Sequence, residues 1–239
     1  YNSAEMANPV KLTSTALTFN PKTVTLNELN GATGKTDFNA TGTINNFLGF
    51  LFNDEKVEGN FNLNSNTFSL NDFMVEEEET VSTGGTSEQE PGPIEEKIKI
   101  PSFLDANINA SAGTVLYDNL TLNNVKGNLR IRDEKATLSN MTSSTLGGKL
   151  AFDGEVSTKS ETPTFAMKLN LDQLGITETF KTIELLQTVA PIARIFKGKL
   201  DSQVELSGAL NDDLTPDLLT LSGDVLANIF TRDFETVSS

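Results

Sequence analysis

The chain has 239 residues, a formal net charge of −15 and a pI near 4.4, and contains no cysteine, histidine or tryptophan. Without cysteine or histidine there is no disulfide framework, and the usual zinc sites, thiol chemistry and serine–histidine triads are excluded. The acidic balance argues against binding nucleic acid, or an anionic membrane surface, by charge, because both need a basic face.

Hydrophobic residues make up 37% of the chain, or about 44% with the 17 glycines added, the low edge of globular composition, so the core should be thin. No stretch reaches the roughly 18 consecutive apolar residues of a membrane helix. The chain begins at Tyr1, so we expect a processed or trimmed piece.

From Lys11 the pattern alternates. KLTSTALTF and TVTLNEL read as strands separated by the Asn20-Pro21 turn signal, followed by a loop containing Gly31 and Gly34. In DFNATGTI, Phe38, Ala40, Gly42 and Ile44 face opposite to Asp37, Asn39, Thr41 and Thr43. NNFLGFLFND is too short to span a bilayer and too aromatic for a solvent loop, and predicts a helical turn over the end of the sheet. VEGNFNL then resumes the alternation, with Val57, Gly59, Phe61 and Leu63 on one face.

At Val75 the composition changes. EEEETVSTGGTSEQEPGPIEEK cannot bury enough apolar surface to offset its ordering entropy, which predicts an acidic disordered linker or loop over 75–98. It lacks the interleaved Asp/Asn/Gly spacing of a calcium loop, so the run Glu76–Glu79 reads as solvated. The organisation expected is an N-terminal β module over 1–74, this linker, and a C-terminal β module over 99–239.

After the linker, IPSFLDANINASAGTVLYDNLTL supplies one or two strands. Val125–Val156 follows as three amphipathic strands with Gly147-Gly148 between the last two. Val125, Gly127, Leu129 and Ile131 share one face, as do Leu150, Phe152, Gly154 and Val156. TFAMKLNL alternates cleanly, with Phe165, Met167, Leu169 and Leu171 on one side. The period then becomes helical over 177–197, with Thr177 as N-cap, Lys197-Gly198 closing the helix and Pro191 kinking it. KLDSQVELSG and LLTLSGDVLANIF complete the sheet around the turn NDDLTPD. A strand–insert–strand unit recurs in the two halves, DFNATGTI to VEGNFNL and TFAMKLNL to KLDSQVEL. Glycine falls on apolar faces at Gly42, Gly59, Gly127, Gly154, Gly208 and Gly223, where it costs packing and marks a bend or a close approach.

The order of elements from Ala106 onward resembles the C-terminal region of the AsmA family of bacterial envelope proteins. The matching stretches are LYDNLTLNNVKGNL, ATLSNMTSSTLGGKL, FDGEV, PTFAMKLNLDQL, the helix and GKLDSQVELSGAL, with Gly127 and Gly147-Gly148 the most telling. TLNELNGATGKTDFNATGTINNFL and GNFNLNSNTFSLNDF resemble the preceding segment of such proteins, particularly from Bacteroidetes-like bacteria. The resemblance implies a strongly curved antiparallel sheet whose concave apolar face carries lipid acyl chains between the inner and outer membranes. It also implies a periplasmic fragment of a protein anchored in the inner membrane, with a phospholipid or other envelope lipid as partner.

The fold class expected is therefore all-β, one curved antiparallel sheet forming an open groove, with one long amphipathic helix. The groove-lining candidates are Phe38, Ile44, Phe61, Leu129, Ile131, Leu150, Phe152, Phe165, Met167, Leu169, Val204 and Leu206; the bland alternative is an ordinary β core closed by the helix. A different class, a structural or adhesive cell-surface module binding protein or glycan, draws on the Asn/Ser/Thr-rich outer face and the sequons at Asn39, Asn109, Asn119 and Asn140. An enzyme is disfavoured. The carboxylate pairs Asp133/Glu134 and Asp212/Asp213 fall in turn-like positions, and no nucleophile motif, cofactor site or metal site is expected.

Overall fold

The computed structural model describes residues 8–53, 55–72, 99–117, 119–182, 197–212 and 214–230. The architecture is mainly β, a single eleven-stranded open sheet in which the strands lie side by side in chain order. The strands are β1 (Lys11–Phe19), β2 (Thr23–Thr33), β3 (Thr36–Asn45), β4 (Val57–Ser69), β5 (Leu104–Tyr117), β6 (Leu120–Arg132), β7 (Lys135–Thr145), β8 (Gly148–Ser157), β9 (Thr164–Gly175), β10 (Lys199–Ala209) and β11 (Ser222–Phe230). A short helix α1 (Phe47–Asn53) connects β3 to β4, and α2 (Ile176–Thr182) follows β9. The strand–insert–strand unit thus appears twice, each time as an antiparallel pair with a helix in its connection.

Three expectations are corrected. The sheet is mixed rather than antiparallel, because β4 and β5 run parallel, from Val57 opposite Leu104 to Ser69 opposite Leu116. A parallel neighbour demands a crossover of a dozen or more residues, and the chain between Ser69 and Leu104 is long enough to return from one rim of the sheet to the other. The loop expected around Gly31 is strand, since β2 runs on to Thr33 and the turn is confined to Gly34, at φ 52°, and Lys35. The helix starts at Ile176, so Thr177 lies inside its first turn instead of capping it. Residues 183–196 of that helix, and the linker over 75–98, lie outside the described residues.

The parallel pair has a sequence cause. VEGNFNLN in β4 and LDANINAS in β5 set like against like: Gly59 beside Ala106, Asn60 beside Asn107, Phe61 beside Ile108, Asn62 beside Asn109. On the polar face Asn107 Nδ2 donates to Asn60 Oδ1 (3.0 Å) and Asn109 Nδ2 to Asn62 Oδ1 (3.1 Å). Ser111 Oγ continues the ladder to Asn64 Oδ1 at 2.7 Å. Stacked amides of this kind are a feature of in-register parallel strands. They join the four strands before the linker to the seven after it.

Tight turns set the remaining register. Asp133 and Glu134 both have positive φ (53° and 60°), the two-residue hairpin geometry of a type I′ turn, and Leu146-Gly147 (48° and 73°) repeats it between β7 and β8. Asp133 pairs with Lys56 and Arg132, which lowers its pKa, the Lys56 hydrogen bond first. At the opposite rim the buried Asp72 accepts from Lys35 N (2.9 Å), Thr36 N (2.8 Å) and Thr36 Oγ1 (2.7 Å). It fastens the end of β4 onto the β2–β3 turn. The buried cluster Val115, Leu122, Val125 and Met141 packs near this rim with Phe68, Ala112, Leu120, Leu138, Leu150 and Phe152 around it.

Replacing Asp72 with alanine strands two backbone N–H groups, and should destabilise the sheet by about 1–3 kcal/mol in equilibrium urea unfolding. A loss below about 0.5 kcal/mol would show that the clasp is not a stabilising contact.

Candidate functional site

The candidate site is the apolar face. Following the registers across the sheet, Leu17, Leu26, Gly42, Phe61, Ile108, Leu129, Leu138, Gly154, Met167, Leu206 and Gly223 stand opposite one another in an unbroken row through all eleven strands. With strands about 4.8 Å apart, the row is about 48 Å long. A second row runs from Phe19 through Val24, Ile44, Gly59, Ala106, Ile131, Ala136, Val156 and Phe165 to Gly208. Neither contains a polar side chain.

All twelve candidates lie on this face. Phe61, Leu129, Met167 and Leu206 belong to the first row, and Ile44, Ile131 and Phe165 to the second. Phe152, Leu169 and Val204 are mutually opposite in a third. Leu150 stands opposite Leu171, and Phe38 opposite Gly31. Phe165 is buried, at 8% exposure, whereas the other eleven are half-buried. The face is therefore neither sealed nor bare. The groove candidates chosen from the sequence left out Ile108, Leu138 and Val156, which stand in the same rows, although the alternation had already placed Val156 on that face.

Bulges keep the apolar residues beyond these rows on the same face. Leu26-Asn27-Glu28-Leu29, Leu122-Asn123-Asn124-Val125, Leu138-Ser139-Asn140-Met141 and Leu171-Asp172-Gln173-Leu174 each insert an extra residue, and the register shifts there. Asn124, Asn140 and Gln173 take positive φ (53°, 54° and 55°). Two of these bulges are clasped by an aspartate on the next strand: Asp153 Oδ1 accepts from Asn140 N (2.7 Å) and Asp201 Oδ1 from Gln173 N (2.8 Å). Asp37 does the same beyond the end of the β3–β4 ladder, accepting from Thr67 N (2.7 Å) and Asn66 N (3.1 Å). A bulge bends its strand and increases its twist.

The glycines have a second cause. Phe61 lies over its neighbours so closely that a Cβ on Gly42 or Gly59 would collide with the ring, and a Cβ on Gly31 would stand 2.5 Å from Phe38 Cζ. Gly127 makes the same room for Met141. Gly154 is different: the nearest atoms to a Cβ there are Ala166 O at 3.5 Å and Met167 Cβ at 3.8 Å. On the opposite, polar face a depression of about 630 Å³ lies behind this point, lined by Thr137, Ser139 and Ser207 and by the charged Asp153, Glu155, Lys168, Glu205 and Asp224. Lys168 and Glu205 pair at 2.8 Å, and the Glu205 hydrogen bond raises the lysine pKa.

Among the described residues no group of three or more acidic side chains could hold a metal ion, and no helix is long and apolar enough to cross a membrane. No family model matches the chain, and neither does a curated protein or a solved structure.

Gly42→Ala should cost about 1–3 kcal/mol through overpacking against Phe61 and the Asn60 carbonyl, whereas Gly154→Ala should be neutral or stabilising by up to about 1 kcal/mol. Equal losses in urea unfolding would show that space does not separate the two positions. A pH series tests Asp37. Burial raises its pKa, but the Thr67 and Asn66 donors outweigh burial and hold it below its ordinary 3.8. Its contribution is thus fully present above that value and is lost as pH falls through the lower, folded one. The stability gap between wild type and Asp37→Asn should narrow between about pH 5 and pH 2, and a constant gap would remove the ionised carboxylate from the account.

Proposed function

We propose that this chain is a non-enzymatic, lipid-handling protein of the bacterial envelope, the periplasmic part of an AsmA-like protein whose strongly curved sheet forms an apolar groove for acyl chains in outer-membrane biogenesis. The observation that carries this reading is the row from Leu17 to Gly223, continuous across eleven strands, half-buried from Leu26 to Leu206 and exposed at its two ends. An ordinary core needs a buried patch near its centre. It does not need apolarity maintained, without one polar interruption, from edge to edge. An acyl chain asks for a long, narrow, polar-free path, because each buried methylene contributes about 0.8 kcal/mol and a polar group left in its way costs a comparable amount or more.

The row runs across the strands, so a chain lying along it crosses the sheet from one edge strand towards the other. The bulges bend the strands around it. The open space at Gly154, between Leu138 and Met167, gives a chain a place to approach the backbone.

Delipidated protein mixed with a fluorescent phospholipid should bind it, and native preparations should carry co-purifying lipid. Met167→Asp and Leu129→Asp should each weaken binding roughly tenfold, or about 1.4 kcal/mol, while Thr137→Asp on the polar face leaves it unchanged. Absence of both binding and co-purifying lipid would overturn the reading, and so would equal losses on the two faces.

A further inference from the structure

The two edges of the sheet are built differently. β1 carries Lys11 and breaks its register with β2 twice, between Leu12 and Ser14 and between Ala16 and Leu17. Lysine and bulges are among the devices that stop an edge strand from recruiting another. β11 has neither. It pairs with β10 through nine consecutive positions, Lys199–Phe230 to Ser207–Ser222, without a shift. It contains no proline or lysine, and its single charge is Asp224. It is exposed along its whole length on both faces, with Val225 67%, Leu226 61% and Ile229 47% exposed.

We infer that β11 pairs with β11 of a second copy of this chain, antiparallel about a two-fold axis at Leu226, so that two sheets continue into one. This register is self-complementary. Gly223 faces Ile229 of the other copy, repeating the pairing of glycine with a large side chain seen for Gly42 and Phe61. Val225 faces Ala227 and extends the apolar face across the junction. On the polar face Asp224 meets Asn228 rather than another aspartate, which avoids a like-charge opposition. Leu226 meets its own counterpart. The backbone N–H and C=O groups along the side of β11 that no described strand covers find partners in the same step, the principal source of affinity in strand addition. Joining β11 to β1 of another copy would meet the bulges and Lys11 instead.

Each copy carries a net charge of −15, so the pairing should tighten as salt screens their repulsion. Sedimentation of the full chain over a range of concentration and salt should show a monomer–dimer equilibrium. Leu226→Lys, which sets two lysines face to face at the axis, should abolish the dimer and leave the circular-dichroism melt unchanged. The chain has no native cysteine, so a single one reports on the register directly. Directly opposite residues lie about 4.5–5.5 Å apart, within disulfide range. Leu226→Cys should cross-link under mild oxidation, while Thr18→Cys on β1 should not. A monomer at every concentration overturns the inference, as does cross-linking that is no faster at Leu226 than at Thr18. Lipid binding is measured separately and can fail or succeed independently of this result.

Discussion

Eleven strands can share one apolar face only if the phase of alternation is conserved from each strand to the next. A slip of one residue at any junction would carry an entire strand's leucines and phenylalanines to the polar side. This constraint explains features that look unrelated at first. The type I′ turns at Asp133-Glu134 and Leu146-Gly147 fix their hairpins without freedom to slide. The asparagine ladder fixes β4 against β5 where no hairpin can. The Asp72 clasp holds the end of β4 to the β2–β3 turn. Each device acts at a place where the phase would otherwise be free.

Bulges belong to the same logic. An extra residue would reverse the facing of everything beyond it if it were counted as part of the alternation. Here the extra residue is absorbed in a positive-φ kink, so that Leu138 and Met141 remain on the same side although they are three apart. The kink turns a backbone N–H away from the ladder, and an aspartate on the neighbouring strand collects it, as Asp153 does for Asn140 and Asp201 for Gln173. An acidic residue on the outer face of a bulged pair is therefore structural. Part of the chain's negative charge serves this purpose.

Much of this was legible in the sequence. Period-two alternation located the strands and the face on which all twelve candidate residues lie, and the contiguous aromatic run located the helical turn at FLGFLFN. The parallel pair was not read, because periodicity says which residues share a face and nothing about which strand lies alongside. Its signal was nonetheless present, in the correspondence of VEGNFNLN with LDANINAS. The bulges were missed for a related reason. An apolar–polar–polar–apolar step inside a strand, as in LNNV or LSNM, looks like a lapse in the pattern until a neighbour is available to show the extra residue. The β2 extension through Gly31 was read as loop because glycine there resembles a turn, whereas its space is taken by the Phe38 ring.

That last point changes what the glycines on the apolar face mean. Six of them suggested a rule about curvature, but most are seats for a large side chain on an adjacent strand or two positions along. Phe61 occupies two such seats, over Gly42 and Gly59, and Met141 occupies the one at Gly127. The arrangement lets a ring lie across the neighbouring strand, in space that any larger residue would fill. Gly154 then stands apart by the same criterion, because among the described residues the nearest atoms to a Cβ there, Ala166 O and Met167 Cβ, are at ordinary contact distance. Gly42 and Gly223 in the same row would each drive an added Cβ into a neighbour, so among the described residues Gly154 is the glycine of that row at which a side chain could be added without displacing an atom.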